Sequence, residues 1–183
     1  MFYKIEVKDH IRVPPRLFDM KVEDAIISQV KEKYEGLISK DLGIVAGIAD
    51  VKSIKEGIII PGDGASYYET NFDLICFTPE MQEVVMGHIK DIADFGAFIN
   101  MGPIEGMIHV SQTMDDFVSF SKDKVLLGKQ SRRSLKVADN CRARIIAISY
   151  KEVDNPKLGL TMRQPGLGKL EWLDEETKKE KKE

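Results

Sequence analysis

The chain has 183 residues, 43% hydrophobic and 31% charged, with a formal net charge of -3; this is room for one large or two small globular domains and excludes a disordered chain. The longest apolar stretch, Leu42 to Ala49, is broken by Gly43 and Gly47 and is too short to span a bilayer. Lys4, Glu6 and Lys8 stand where a secretory signal needs an apolar run, so a soluble cytoplasmic protein with no membrane partner is expected.

In chain order, Phe2 to Val7 alternates apolar and polar residues, the period of a half-buried strand, and Pro14 and Pro15 stop it. Asp19 is placed to cap a helix running to Tyr34, with Val22, Ile26 and Val30 on one stripe and Gly36 suited to the turn that ends it. Strand-like runs follow at Ile44 to Ile54, Ile58 to Ile60 and Phe72 to Phe77, with turn chemistry at Lys55-Glu56-Gly57 and at Pro61-Gly62-Asp63-Gly64. Residues 1–79 therefore predict an α+β domain, β-α-β-β-β, with the helix on an antiparallel sheet.

Thr78-Pro79-Glu80 is the expected boundary. Beyond it, Val84 to Ile92, Ala97 to Met101, Gly106 to Val110, Cys141 to Ile148 and Leu158 to Met162 make five strands, the count of an all-β OB-type barrel over residues 80–164. Ser111 to Asn140 is a long insertion between the third and fourth strands. Residues 165–183 form a C-terminal tail whose Glu and Lys alternation from Leu170 suits a frayed or partner-ordered helix. Trp172 is expected to be exposed there, and with the apolar Leu167 and Leu170 it is a candidate for burial against a partner or between the domains.

No catalytic or metal constellation emerges. Gly62-Asp63-Gly64 lacks the Gly-Lys-Ser/Thr of a phosphate loop, Asp115 and Asp116 stand without partners, and His10, His88 and His109 are scattered. Cys76 and Cys141 read as buried thiols. No catalytic residue, metal or cofactor is expected.

The charge is uneven. Residues 1–80 carry 10 basic and 14 acidic side chains, residues 81–164 carry 12 and 10, and the remainder 5 and 6. If Ala97, Ile99 and Met101 fill the barrel, a period of two turns Phe98 and Asn100 outward; the same parity exposes Met107, His109, Arg142 and Arg144. Rings on which bases stack, beside arginines that neutralise phosphates, make a single-strand binding face. Lys122, Lys124, Lys129, Arg132, Arg133 and Lys136 in the insertion either extend the phosphate track or form a solvated loop.

Glu83 to Arg163, with Phe95-Gly96-Ala97-Phe98, Glu105 to Gln112 and Leu160-Thr161-Met162-Arg163, resembles an S1 RNA-binding domain. The resemblance implies that Phe95, Phe98 and His109 take the family's two aromatic positions and its histidine. Ser149 stands where that family commonly has an aspartate, and Tyr150 to Lys157 is longer than usual, which implies modest affinity. The whole chain resembles the larger stalk subunits, E′, of archaeal DNA-directed RNA polymerase, relatives of the seventh subunit of the eukaryotic nuclear enzyme. That likeness rests on Lys33-Tyr34-Glu35-Gly36, Gly62-Asp63-Gly64, Met114-Asp115-Asp116 and the closing Thr161 to Trp172.

The resemblance implies a non-catalytic subunit whose first domain docks on the polymerase core near the clamp, through Lys33, Tyr34 and Gly36 and through Gly62, Asp63 and Gly64. It further implies a heterodimer with the smaller stalk subunit of the polymerase, nascent single-stranded RNA as ligand of the barrel, and support of promoter opening and processivity. An S1-domain factor of translation initiation or RNA turnover is the alternative; initiation factors place the barrel first, whereas here about eighty residues precede it. A nuclease would need a catalytic part for which this chain has no room.

Overall fold

The computed structural model describes residues 1–39, 42–121, 123–150 and 156–180, without the side chains of residues 176, 179 and 180. The chain divides into two compact units, Met1–Thr78 and Pro79–Glu183.

In the first unit the alternation seen at Phe2 to Val7 continues through the whole of β1, Phe2–Val13, and ends at Pro14. A short 3₁₀ turn at Pro15–Leu17 leads to α1, Val22–Tyr34, which buries Ala25, Ile26 and Val30. Asp19 does not cap it. The residue at the cap is Lys21, which makes no side-chain bond, and Glu23 and Asp24 in the first turn instead complement the positive end of the helix. Gly36 takes φ +80°, the left-handed conformation that turns the chain back so that its N–H donates to the Val45 carbonyl at 2.9 Å.

Three strands complete the unit: β2, Ile38–Ser39; β3, Gly43–Ile59; and β4, Ser66–Phe77. All pairings are antiparallel, in the order β1-β4-β3-β2. Lys55-Glu56-Gly57 is not a turn. β3 runs through it as one strand, and the register with β4 shifts at four places, the last between Ile54 and Gly57. Each shift inserts an unpaired residue and resets the side-chain alternation, which is why one bent strand reads as two in the sequence. The helix packs on the sheet over Ile11, Val13, Phe72, Leu74 and Cys76. The expected helix-on-sheet fold is the observed one, with its strands redistributed.

In the second unit, β5 (Val84–Ala93), β6 (Gly96–Asn100), β7 (Glu105–His109), β11 (Asn140–Ser149) and β12 (Lys157–Thr161) stand where five strands are expected. They follow the order β12-β7-β6-β5-β11 and close through β11 and β12. The β12–β7 pair is parallel and the others antiparallel, giving a closed mixed barrel of OB type. Val85, Ile89, Ala97, Ile99, Ile108, Ala143, Ile145 and Leu160 fill it. Gly96 is needed for this closure, since a Cβ there would lie 2.3 Å from the Ile108 carbonyl oxygen.

The insertion is ordered. Its β8 (Val118–Ser121), β9 (Val125–Gly128) and β10 (Ser134–Leu135) form a separate antiparallel sheet whose Leu126 and Leu135 are fully buried in the barrel's core cluster. Beyond the barrel, β13, Gly168–Lys169, pairs with Cys141 and Arg142 of β11, and α2 follows over Leu170–Glu180. Trp172, expected outside, is 7% exposed and belongs to the same core; Leu167 is also buried. Lys169 is held between Asp139 at 3.0 Å and Glu171 at 2.6 Å; burial lowers its basicity, but the two carboxylates outweigh burial and raise it. Residues 165–180 thus belong to the second unit.

Candidate nucleic-acid interface

Phe98 projects from β6 on the barrel's outer face, because its neighbours Ala97 and Ile99 are fully buried. Phe95, 49% exposed in the β5–β6 turn, meets it edge to face, with ring centroids 5.9 Å apart. Edge-to-face contact fixes both rings while leaving faces open for stacking. In the barrel ladder Phe98 lies opposite Asp91 on β5 and Met107 on β7, and His109 lies opposite Gly96. His109 Nδ1 is 2.8 Å from Ser111 Oγ and 3.3 Å from the Ser111 amide, contacts that orient the ring.

Asp91 is not a candidate on sequence alone. Its outward position depends on a register shift between Ile89 and Asp91, which leaves Lys90 unpaired and breaks the parity that would otherwise identify it. Its Oδ1 accepts from Lys124 Nζ at 2.7 Å and from the Ile92 amide at 2.9 Å; the lysine first, then the amide, hold the carboxyl below its usual range. This ion pair ties Lys124 to the strand beside Phe98. Lys124 itself has φ +55°.

The other basic candidates are elsewhere. Arg142 and Arg144 are half-buried on β11, opposite Met86 and Val84 at the start of β5, whereas Phe98 faces Asp91. At about 3.4 Å per residue that is roughly 15–25 Å farther along the strand. Arg142 donates to the Gly166 carbonyl at 3.4 Å. Arg133 stacks its guanidinium over Trp172, 5.5 Å from the ring centre, so part of its role is packing. Arg132 is exposed with φ +57°. Lys122 lies outside the described residues, as does most of the segment between Tyr150 and Lys157.

In the first unit Gly36 and Gly62 stand at opposite ends of the sheet, whereas Lys33 and Tyr34 reach Asp9, which lies opposite Thr70 midway along β4. Gly36 bonds Val45, which pairs with Cys76, while Gly62 (φ +93°) closes the β3–β4 hairpin beside Ser66; these ends are roughly 35 Å apart along β4. Lys33 pairs with Asp9, and Tyr34 donates to the same carboxylate at 2.6 Å. Burial and Asp9 together push the Tyr34 hydroxyl pKa up. Asp63 accepts two bonds from Arg12, at 2.8 and 2.9 Å, and one from Tyr67 at 2.7 Å; these hold its carboxyl well below the usual range. Gly64 follows it in the turn. Ile58, Ile59 and Ile60 are exposed at this hairpin end.

Comparison with known proteins fits both halves. Residues 8–64 match the model of the SHS2 domain found in the N terminus of Rpb7p/Rpc25p/MJ0397, and residues 78–152 match the S1 RNA binding domain. DNA-directed RNA polymerase subunit Rpo7 of Sulfolobus acidocaldarius is 38% identical across the full length of both chains, and that of Saccharolobus solfataricus is 38% identical over 98% of this chain and all of its own. DNA-directed RNA polymerase III subunit RPC8 of Saccharomyces cerevisiae is 31% identical over 62% of this chain and 54% of its own. With an SHS2 unit, an S1 barrel and end-to-end similarity to these subunits, the chain belongs to the Rpo7 family of DNA-directed RNA polymerase subunits.

Proposed function

We propose that the chain is a non-catalytic stalk subunit of the polymerase whose barrel guides nascent single-stranded RNA and supports promoter opening and elongation. The edge-to-face Phe95–Phe98 pair carries this reading: two rings stand on the barrel's outside next to His109, where an apolar pair without a ligand gains little. Bases stack on such rings for about 1–3 kcal/mol each. Lys124, held by Asp91, contacts the phosphate nearest Phe98; Arg142 and Arg144 serve phosphates farther along the strand.

The first unit docks on the polymerase core near the clamp. The hairpin end with Gly62, Asp63 and Gly64 is the stronger docking surface because it presents the exposed Ile58 to Ile60, whereas Lys33 and Tyr34, like Asp63 itself, are engaged within the unit. The smaller stalk subunit is the second partner, joined as a heterodimer, and nucleotidyl transfer belongs to other subunits.

RNA binding by the full-length protein, followed by fluorescence anisotropy, tests the site. Phe98→Ala weakens affinity by about 1–3 kcal/mol while Phe98→Tyr retains it. Equal affinity of Phe98→Ala and the unaltered protein would remove the stacking role.

A further inference from the structure

The most exposed of the large hydrophobic side chains described lies outside the aromatic site just built. Phe117, 73% exposed, precedes β8 and lines an open pocket of about 350 Å³ with Ser111, Asp115, Asp116, Gln130 and Arg163. Three observations distinguish it from a stray surface ring.

The backbone that carries the ring is held in place. Asp116 Oδ1 accepts from the Phe117 amide at 2.6 Å, and its Oδ2 accepts from the Gln130 amide at 2.9 Å, the Ser131 amide at 2.7 Å and Ser131 Oγ at 2.8 Å. The Phe117 carbonyl in turn accepts from the Lys129 amide at 2.9 Å. A backbone fixed on both sides of the ring needs little further ordering when a ligand arrives.

The pocket's carboxylates already have partners. Asp116 is engaged by the amides and hydroxyl just named, with the Ser131 amide foremost in lowering its pKa. Asp115 receives Arg163 through Nε at 2.8 Å and Nη2 at 2.6 Å. An apolar ring with a polar rim of Ser111, Gln130 and Arg163 fits a flat heterocycle that has polar edges. An apolar side chain from a partner protein would cover the ring without matching that polar rim.

The pocket also adjoins the aromatic site, since Ser111 Oγ, on its wall, is 2.8 Å from His109 Nδ1. We propose that it is a further nucleotide subsite, in which one unpaired RNA base stacks on Phe117 with its edge toward Ser111, Gln130 and Arg163, extending the path that begins at Phe95 and Phe98. This rests on the RNA-binding reading of the barrel and assigns Phe117 as a binding residue in it.

The test uses the full-length protein with oligoribonucleotides of about 4 and about 12 nucleotides, lengths that bracket one or several subsites on an OB-type barrel. Phe117→Ala is expected to bind the longer strand about tenfold more weakly and the shorter one unchanged, whereas Phe98→Ala weakens both. Because the ring is exposed, the variant keeps the parent's thermal transition. A Phe117→Trp protein, which preserves stacking, binds like the parent, and its new indole emission is quenched by the longer strand only. If Phe98→Ala weakens binding while Phe117→Ala leaves both lengths unchanged, the subsite is overturned and the RNA face stands. If neither substitution matters, both readings fail. Loss of a co-purifying polypeptide from Phe117→Ala, with RNA affinity unchanged, assigns the ring to a protein contact and also overturns the subsite.

Discussion

Glu69 on β4 shows how single side chains fasten the open face of the first unit's sheet. Lys55 Nζ lies 2.6 Å and Lys8 Nζ 2.9 Å from its Oε1, one from each flanking strand, and together they lower its pKa from 4.5 to about 2. The folded state therefore favours the ionised form. Its contribution to stability is complete above about pH 4.5 and is lost as the pH falls toward 2. Glu69→Gln is expected to lower stability at neutral pH and to flatten the acid limb of this unit's unfolding between those values, as read by urea titrations at stepped pH. An acid limb as steep as the parent's would place the titration elsewhere. At this scale the sequence is legible wherever parity holds: Phe98, His109, Arg142 and Arg144 point away from the fully buried Ala97, Ile108 and Ala143. It is illegible at Asp91, where the unpaired Lys90 resets the alternation, and at Glu69, whose partners are 61 and 14 residues away in the chain.

Among the elements, the barrel strands announce themselves because turn residues bound them and β5 and β11 carry one register shift each. β3 does not, since its four register shifts mimic strand ends. The insertion and the tail are harder still. Six basic residues suggest solvent between Lys122 and Lys136, yet Leu126 and Leu135 anchor a small sheet to the core. The Glu and Lys alternation after Leu170 likewise hides the fact that Trp172 is a core residue. Such anchoring depends on cavities made by distant strands, which no local pattern reports. Trp172→Ala is accordingly expected to cost the second unit about 3–5 kcal/mol in urea unfolding, from lost burial and the cavity left behind. The stacked Arg133 guanidinium loses its platform in the same variant. A loss below about 1 kcal/mol would mean that the ring sits outside the core.

For the whole molecule, an RNA-binding barrel alone fits many machines. What narrows the choice is the SHS2 unit ahead of it and the similarity to Rpo7 subunits from end to end. The net charge of -3 is no obstacle to the proposed RNA contact, because charge acts through its placement: Lys124 is bonded to Asp91, which lies opposite Phe98.

The central claim is tested most directly by affinity purification of the tagged full-length protein from its own cells, with the bound RNA cross-linked before lysis. Recovery of the polymerase core with a smaller stalk partner, and RNA cross-links on the strand bearing Phe98, is the result predicted. Recovery of ribosomal or exosome components without polymerase subunits would contradict it.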